Sequence, residues 1–290
     1  MVNSVAPIKR ARIYLDAIKF EHTLFALPFA YLGMILASRG WPGWPIVLWT
    51  TLAMAGARTG AMAANRLIDA GLDARNPRTT TRAIPQGLMS RPEMLGLATA
   101  GFALLHIAAW QLNGLALALA PVAMLAVTLY SYTKRFTWGS HWILGLVDGI
   151  APVGGWIAVT GAFSVEALVL ALAVMFWIGG FDVLYGMQDV EFDRQHGLHS
   201  IPARFGVRSA LWTARASHAA TIIMLLAIGS ISNLGWPYWV GVGIVGCLLT
   251  YENLLLKPHD LSRLNLAFFN INGYVAIVTL VSTIMGVWID

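Results

Sequence analysis

Residues 94–133 read MLGLATAGFALLHIAAWQLNGLALALAPVAMLAVTLYSYT, forty positions without a charge. A helix crosses the roughly 30 Å hydrocarbon core of a bilayer in about 20 residues, so this stretch is about twice too long for one crossing. It breaks at Gln111-Leu112-Asn113-Gly114, where turn-forming residues interrupt the apolar run. The reading is a helix that crosses, turns and returns. A second uncharged run, 216–251, behaves the same way and breaks at Ser230-Ile231-Ser232-Asn233, followed by Gly235 and Pro237.

The same criterion applied outward predicts nine spans: 22–39, 45–68, 94–111, 115–133, 142–161, 166–187, 210–230, 237–256 and 265–288. The expected fold is all-α, a polytopic membrane bundle of nine transmembrane helices around a central cavity. It forms one integral-membrane domain over 1–290. Segment 1–21 carries Lys9, Arg10, Arg12, Asp16, Lys19 and Glu21 and reads as interfacial, with an amphipathic helix over 8–20 and no cleavable signal peptide. Composition agrees. The 290 residues are 58% hydrophobic and 11% charged, against about 25% charged in soluble domains, and the mean hydropathy is +0.67. A soluble enzyme, a disordered chain and a disulfide scaffold are thereby excluded. Cys247 stands alone, so an internal disulfide and a cysteine metal cluster are excluded as well.

The net charge of +5 reflects orientation rather than affinity for nucleic acid, because the basic residues fall between apolar runs. With the N-terminus in the cytoplasm, one side collects Lys9, Arg10, Arg12, Lys19, Arg66, Arg75, Arg78, Arg82, Arg91, Lys134, Arg135, Arg194, Arg204, Arg208, Arg215, Lys257 and Arg263. The other side holds Arg39 alone, and Arg58 lies within the second span.

Two acidic clusters fall on the basic side. Asn65, Asp69 and Asp73 repeat at i, i+4, which aligns them on one helical face. Arg58, seven residues earlier, shares that face inside the apolar span, where a charge needs a partner. Asp182, Tyr185, Asp189 and Asp193 follow steps of three, four and four at the end of the sixth span, with Gln188 beside them. These clusters hold five of the chain's 14 acids. Grouped carboxylates repel one another unless cations neutralise them. Mg²⁺ takes oxygen ligands and is commonly shared between carboxylates and a phosphate, so two facing sets joined through Mg²⁺ to one diphosphate would relieve the repulsion. The plainer alternative is two solvated helix ends.

Basic loops follow both clusters: Arg75, Asn76, Pro77, Arg78, Thr79, Thr80, Thr81 and Arg82 after the first, and Arg194, His196, His199, Ser200 and Arg204 after the second. Arginine forks suit phosphate oxygens, whereas topology alone asks only for positive charge. Lys134 and Arg135 follow Tyr130, Ser131 and Tyr132; they read either as contacts to a diphosphate or acceptor carboxylate, or as interface anchors. Asp148 in the fifth span either lines the cavity or pairs with an arginine. The seven histidines are scattered without HExxH spacing, and no P-loop, dinucleotide fingerprint or nucleophile elbow occurs. Trp41, Trp44, Trp49, Trp236 and Trp239 read as an aromatic belt at the far face.

Asn65-Arg66-Leu67-Ile68-Asp69 with Asp73, Asn76-Pro77-Arg78-Thr79, and Asp182 through Asp193 closely resemble the motifs of the UbiA family of intramembrane aromatic prenyltransferases. Lys19-Phe20-Glu21-His22-Thr23-Leu24-Phe25-Ala26-Leu27-Pro28-Phe29 resembles the N-terminal signature of bacterial 4-hydroxybenzoate polyprenyltransferases and of similar enzymes of menaquinone synthesis. Ala83 departs from the pattern, since many members carry Pro after the loop arginine. The resemblance implies a polyprenyl diphosphate donor, Mg²⁺ as cofactor and a small aromatic acceptor. That acceptor would be 4-hydroxybenzoate or a related ubiquinone or menaquinone precursor. It also implies residence in the bacterial cytoplasmic membrane, with the site open to the cytoplasm. The two motifs do not separate this acceptor from naphthoate, homogentisate, chlorophyllide or haem.

On that basis Asn65, Asp69, Asp73, Asp189 and Asp193 are expected to hold the metal. Arg58, Arg78, Arg82, Lys134, Arg194 and Arg204 are expected to bind the diphosphate. Asp182, Tyr185 and Lys134 are expected to act at the reacting centre, Asp182 and Tyr185 lying about two turns and one turn deeper than Asp189. No nucleic acid or protein partner is indicated. Two other classes fit less well. CDP-alcohol phosphatidyltransferases resemble one continuous motif with an Asp-Gly step, absent after Asp69. A secondary transporter favours acids near the bilayer midplane, not at helix ends.

Overall fold

The computed structural model describes residues 7–18, 20–257, 261, 263–264 and 270–289. Lys19 of the N-terminal signature, residues 1–6 of the interfacial segment and the start of the last predicted span, 265–269, lie outside the described residues. Among the described residues the regular elements are helices: α1 Pro7–Ala17, α2 Phe20–Ser38, α3 Trp44–Asp73, α4 Arg91–Leu112, α5 Gly114–Leu129, α6 Ser140–Asp148, α7 Ile150–Thr160, α8 Val165–Gly186, α9 Val190–Gln195, α10 Ile201–Ile231, α11 Trp236–Leu255 and α12 Asn272–Trp288. Tyr130–Arg135 and Met187–Asp189 form 3₁₀ turns that extend α5 and join α8 to α9.

Six stretches are long and apolar enough to cross a membrane: Arg91–Leu112, Gly114–Arg135, Ser140–Thr160, Val165–Gln195, Ile201–Ile231 and Trp236–Leu255. They coincide with the third to eighth predicted spans. The second predicted span is helical but does not meet the same measure. Within the first and ninth predicted spans, Leu27–Ser38 and Asn272–Trp288 are apolar helix. The 30-residue α3 is diluted by its threonines, Arg58 and the charged end of the helix. The chain is an integral membrane protein.

Two predicted helices prove less regular than expected. The fifth span divides at Gly149 into α6 and α7, because Pro152 has no N–H to offer the carbonyl of Asp148. In α10, Gly206 has φ 84° and ψ 164°, so a short segment at the acid-bearing end is set off from the long apolar helix.

Helices pack in close pairs: α3 with α4, α8 with α10, α2 with α7, α6 with α8, and α11 with α12. Lipid is as apolar as leucine, so helices associate through close backbone approach at small residues. At the α2–α7 seam, a methyl group on Gly33 would lie 2.0 Å from the Pro152 carbonyl oxygen, and one on Gly155 would lie 2.0 Å from the Ala30 carbonyl oxygen. Gly56 and Gly101 join α3 to α4 in the same manner. Elsewhere large side chains interdigitate: Phe29, Leu32, Leu170, Val174, Trp177, Ile228 and Val275 form the main core. Helix α1 docks beside α3 and α4. Ala17 packs near Ala63 and Met94, Arg10 pairs with Glu93, and buried Arg66 donates to the Ala17 carbonyl at 3.3 Å. These seams fix the ends of α3 and α8 relative to each other, and both acidic clusters sit on those ends.

Candidate active site

The last turns of α3 and the α8–α9 junction face each other across a cavity of about 190 Å³. Asn65, Asp69 and Asp73 form one wall, and Asp182, Tyr185, Asp189 and Asp193 the other. The tighter winding of Met187–Asp189 keeps the second set on one face despite the helix break. Lys134 and Arg135 enter from the 3₁₀ turn after α5, and Asn76, Arg78, Thr79 and Arg82 from the connection after α3.

Each carboxylate has a defined partner. Arg135 approaches Asp69 at 3.3 Å, and Asn65 donates to Asp69 at 2.9 Å and to Ser131 at 3.2 Å. Arg82 meets Asp73 Oδ1 at 2.6 Å, while Asp73 Oδ2 is buried without a partner. Asp189 receives the Arg78 fork, Nε to Oδ1 at 2.9 Å and Nη2 to Oδ2 at 2.5 Å, and Asn76 adds a donor at 3.0 Å. Burial alone would lower the Arg78 guanidinium, but the hydrogen bonds and charge of Asp189 outweigh it and raise it. The same guanidinium lies 5.1 Å from the Tyr185 ring centroid and donates to its hydroxyl at 3.2 Å. Asp193 accepts from Ser200 at 2.7 Å, and Asp182 meets His141 at 2.7 Å.

Asn65, Asp69, Asp73, Arg78, Arg82, Lys134, Asp182, Tyr185, Asp189 and Asp193 thus share one cavity. Arg58, Arg194 and Arg204 are not among its lining residues. Arg58 stands opposite Asp148 at 3.7 Å. Arg194 is exposed and donates to the Ala203 carbonyl at 2.9 Å, and Arg204 is exposed one turn into α10. Sequence reasoning gave no site role to His141, Ser131 or Ser200. Ser131 and Ser200 were discoverable as polar residues flanking charged motifs. His141 carries no local signal, since its partner is 41 positions away.

Among the described residues no three carboxylates, imidazoles or thiols converge tightly enough to hold a metal by themselves. The oxygens of the two walls can still act as partial ligands to an ion that also takes phosphate oxygens and water.

A sequence model of the UbiA prenyltransferase family matches residues 26–274. The chain belongs to the UbiA prenyltransferase family. As a UbiA protein it is a prenyltransferase. The chain is 30% identical over 240 residues to the 4-hydroxybenzoate octaprenyltransferase of Methylobacillus flagellatus, covering 83% of this chain and 81% of that protein. It is 27% identical over 289 residues to the protein of the same name from Vibrio cholerae, with 96% and 99% covered. Among solved structures, an apo UbiA homolog from Aeropyrum pernix K1 superposes with a TM-score of 0.84 at 33% identity, over 91% of this chain and 98% of that one. A UbiA homolog from Archaeoglobus fulgidus bound to GPP and Mg²⁺ superposes with a TM-score of 0.71 at 17% identity, over 94% and 99%.

Proposed function

We propose that this UbiA protein transfers a polyprenyl group from polyprenyl diphosphate to 4-hydroxybenzoate, or to a closely related aromatic quinone precursor, with Mg²⁺. We read it as one domain of nine spans in the bacterial cytoplasmic membrane, its N-terminus and site facing the cytoplasm. One observation carries the reading: Asp69 and Asp73 line the same cavity as Asp189 and Asp193, more than a hundred residues away, with Arg78, Arg82 and Lys134 between them. The names of the curated relatives support the acceptor and a long prenyl chain.

The residues fit Mg²⁺. The donors are carboxylate and amide oxygens, and the buried Asp73 Oδ2 lacks a hydrogen bond, a vacancy that costs free energy unless a cation or donor fills it. Asn65, Asp69, Asp73, Asp189 and Asp193 would hold the ion. When bound, it would supply positive charge against the leaving pyrophosphate. Arg78 and Arg82 would exchange carboxylate partners for phosphate oxygens, and with Lys134 beside them would stabilise the same charge. The Tyr185 ring, which now faces a guanidinium, can face an allylic cation equally well. Asp182 lies deeper, on the path of the acceptor. Water would have to be kept from the site during transfer, since it would capture the cation. Arg58, Arg194 and Arg204 have no part in this reading, because each is engaged or exposed elsewhere.

The test incubates membranes carrying the protein with labelled polyprenyl diphosphate, Mg²⁺ and a panel of aromatic acceptors, with an EDTA control, and identifies products by mass spectrometry. The expected product is prenylated 4-hydroxybenzoate, lost with EDTA. Absence of any prenylated aromatic product would overturn the reading.

A further inference from the structure

His141, the second residue of α6, is fully buried. Its Nδ1 lies 2.7 Å from Asp182 Oδ2, and its Nε2 lies 3.3 Å from the backbone nitrogen of Ile201. A backbone N–H only donates. Nε2 is therefore the accepting ring nitrogen, and Nδ1 carries the proton and donates to Asp182. The ring has little freedom. A methyl group on Gly186 would meet His141 Cε1 at 3.1 Å and Pro202 at 3.5 Å. The anchor is strong as well, because Ile201 opens α10, and the N-cap of that helix, Ser200, holds Asp193.

The Asp182 carboxylate is 15% exposed and lines the cavity. With Oδ2 taken by His141, Oδ1 accepts no hydrogen bond among the described residues. The side chain is held at one oxygen and available at the other, as a group that must receive a proton should be.

We propose that His141 is a positioning residue that presents Asp182 to the aromatic acceptor, so that Asp182 receives the proton the ring releases. The proposal rests on the prenyl-transfer reading. In the step, the donor's C–O bond breaks and its electron pair leaves on pyrophosphate. The acceptor's π electrons form the new C–C bond. The ring C–H bond at that carbon then breaks, its electrons restore aromaticity, and the proton passes to Asp182 Oδ1. His141 keeps its own proton throughout and fixes where the carboxylate points.

Two substitutions separate positioning from packing. His141→Gln places an oxygen where it can still accept from Ile201 but leaves Asp182 without its donor. His141→Asn keeps an N–H towards Asp182 and gives up the Ile201 contact. Purified full-length variants are assayed for kcat and KM with each substrate, for binding of the polyprenyl diphosphate, and for melting temperature in detergent. The expected result is a kcat of His141→Gln lowered by about 10²-fold, with the KM and binding of the diphosphate donor as in wild type. His141→Asn should recover at least about tenfold of that loss. A His141→Gln variant with wild-type kcat overturns the proposal. So does one that loses donor binding in parallel or fails to fold, and so does a His141→Asn variant no faster than it. The parent reading fails differently: wild type itself would then prenylate no acceptor.

Discussion

The two ends of the bundle are built on different principles. At the end away from the acidic motifs, the helices reverse in short turns whose caps are largely local. Asn113 closes α4 and caps α5 through Ala116 N at 2.9 Å, Ser164 caps α8 through Ala167 N at 3.1 Å, and Gly161 ends α7 in the left-handed conformation at φ 65°. At the acid-bearing end the connections are longer, and beside local bonds such as Arg82 to Asp73 and Ser200 to Asp193 they make ionic pairs across the sequence. Arg78 reaches Asp189 across 111 positions, Asn76 reaches it across 113, and Arg135 reaches Asp69 across 66. One end is a set of locally capped turns tied by a few long-range bonds, Asn113 to the Ile157 carbonyl at 2.7 Å and Arg39 to that of Ser232. The other is a single ionic assembly that forms only when the whole bundle is in place. Stability and chemistry should therefore be separable by the end at which a residue is changed.

The largest effect tests the assembly itself. Asp69→Asn or Asp189→Asn should lower Mg²⁺-dependent transfer by on the order of 10³-fold or more, with the protein still extracted as a folded membrane protein. Wild-type turnover in Asp69→Asn would remove that residue from the metal site. Arg78→Lys keeps the charge but loses the fork, and should raise the KM for the diphosphate donor by roughly 10–100-fold in steady-state assays. An unchanged KM would mean that the fork serves only Asp189.

The remaining two predictions act on stability alone. Gly155→Val at the α2–α7 seam should cost about 1–3 kcal/mol through overpacking, read as a lower melting temperature with unaltered turnover per folded molecule. Ser164→Ala should cost about 1 kcal/mol and leave kinetics untouched. A kinetic defect in Ser164→Ala would show that the ends communicate and break the comparison.

The same contrast explains what could be read from the chain. The breaks at Asn113-Gly114 and at Ser232-Asn233 were visible because turn residues act where they stand. The shared faces of Asp69 with Asp73 and of Asp182 with Asp189 and Asp193 followed from helical spacing, and these residues do line one cavity. What sequence could not supply were partners chosen by tertiary packing. Arg194 turns to the Ala203 carbonyl, Arg58 stands opposite Asp148, and His141 meets Asp182. An arginine was among the expected partners of Asp148, but nothing in residue type or spacing predicts the other two choices. The division at Gly149 was half legible: Pro152 was in view, but an apolar run long enough for one helix concealed it.

Ser200 joins the two kinds of constraint in one hydroxyl. It accepts from Ala203 N at 3.3 Å as the cap of α10 and donates to Asp193 at 2.7 Å. Aspartate would cap as well yet set a second negative charge against Asp193, and glycine would cap nearly as well yet donate nothing. Only a side chain that both caps and donates, such as serine, threonine or asparagine, serves the helix and the carboxylate together.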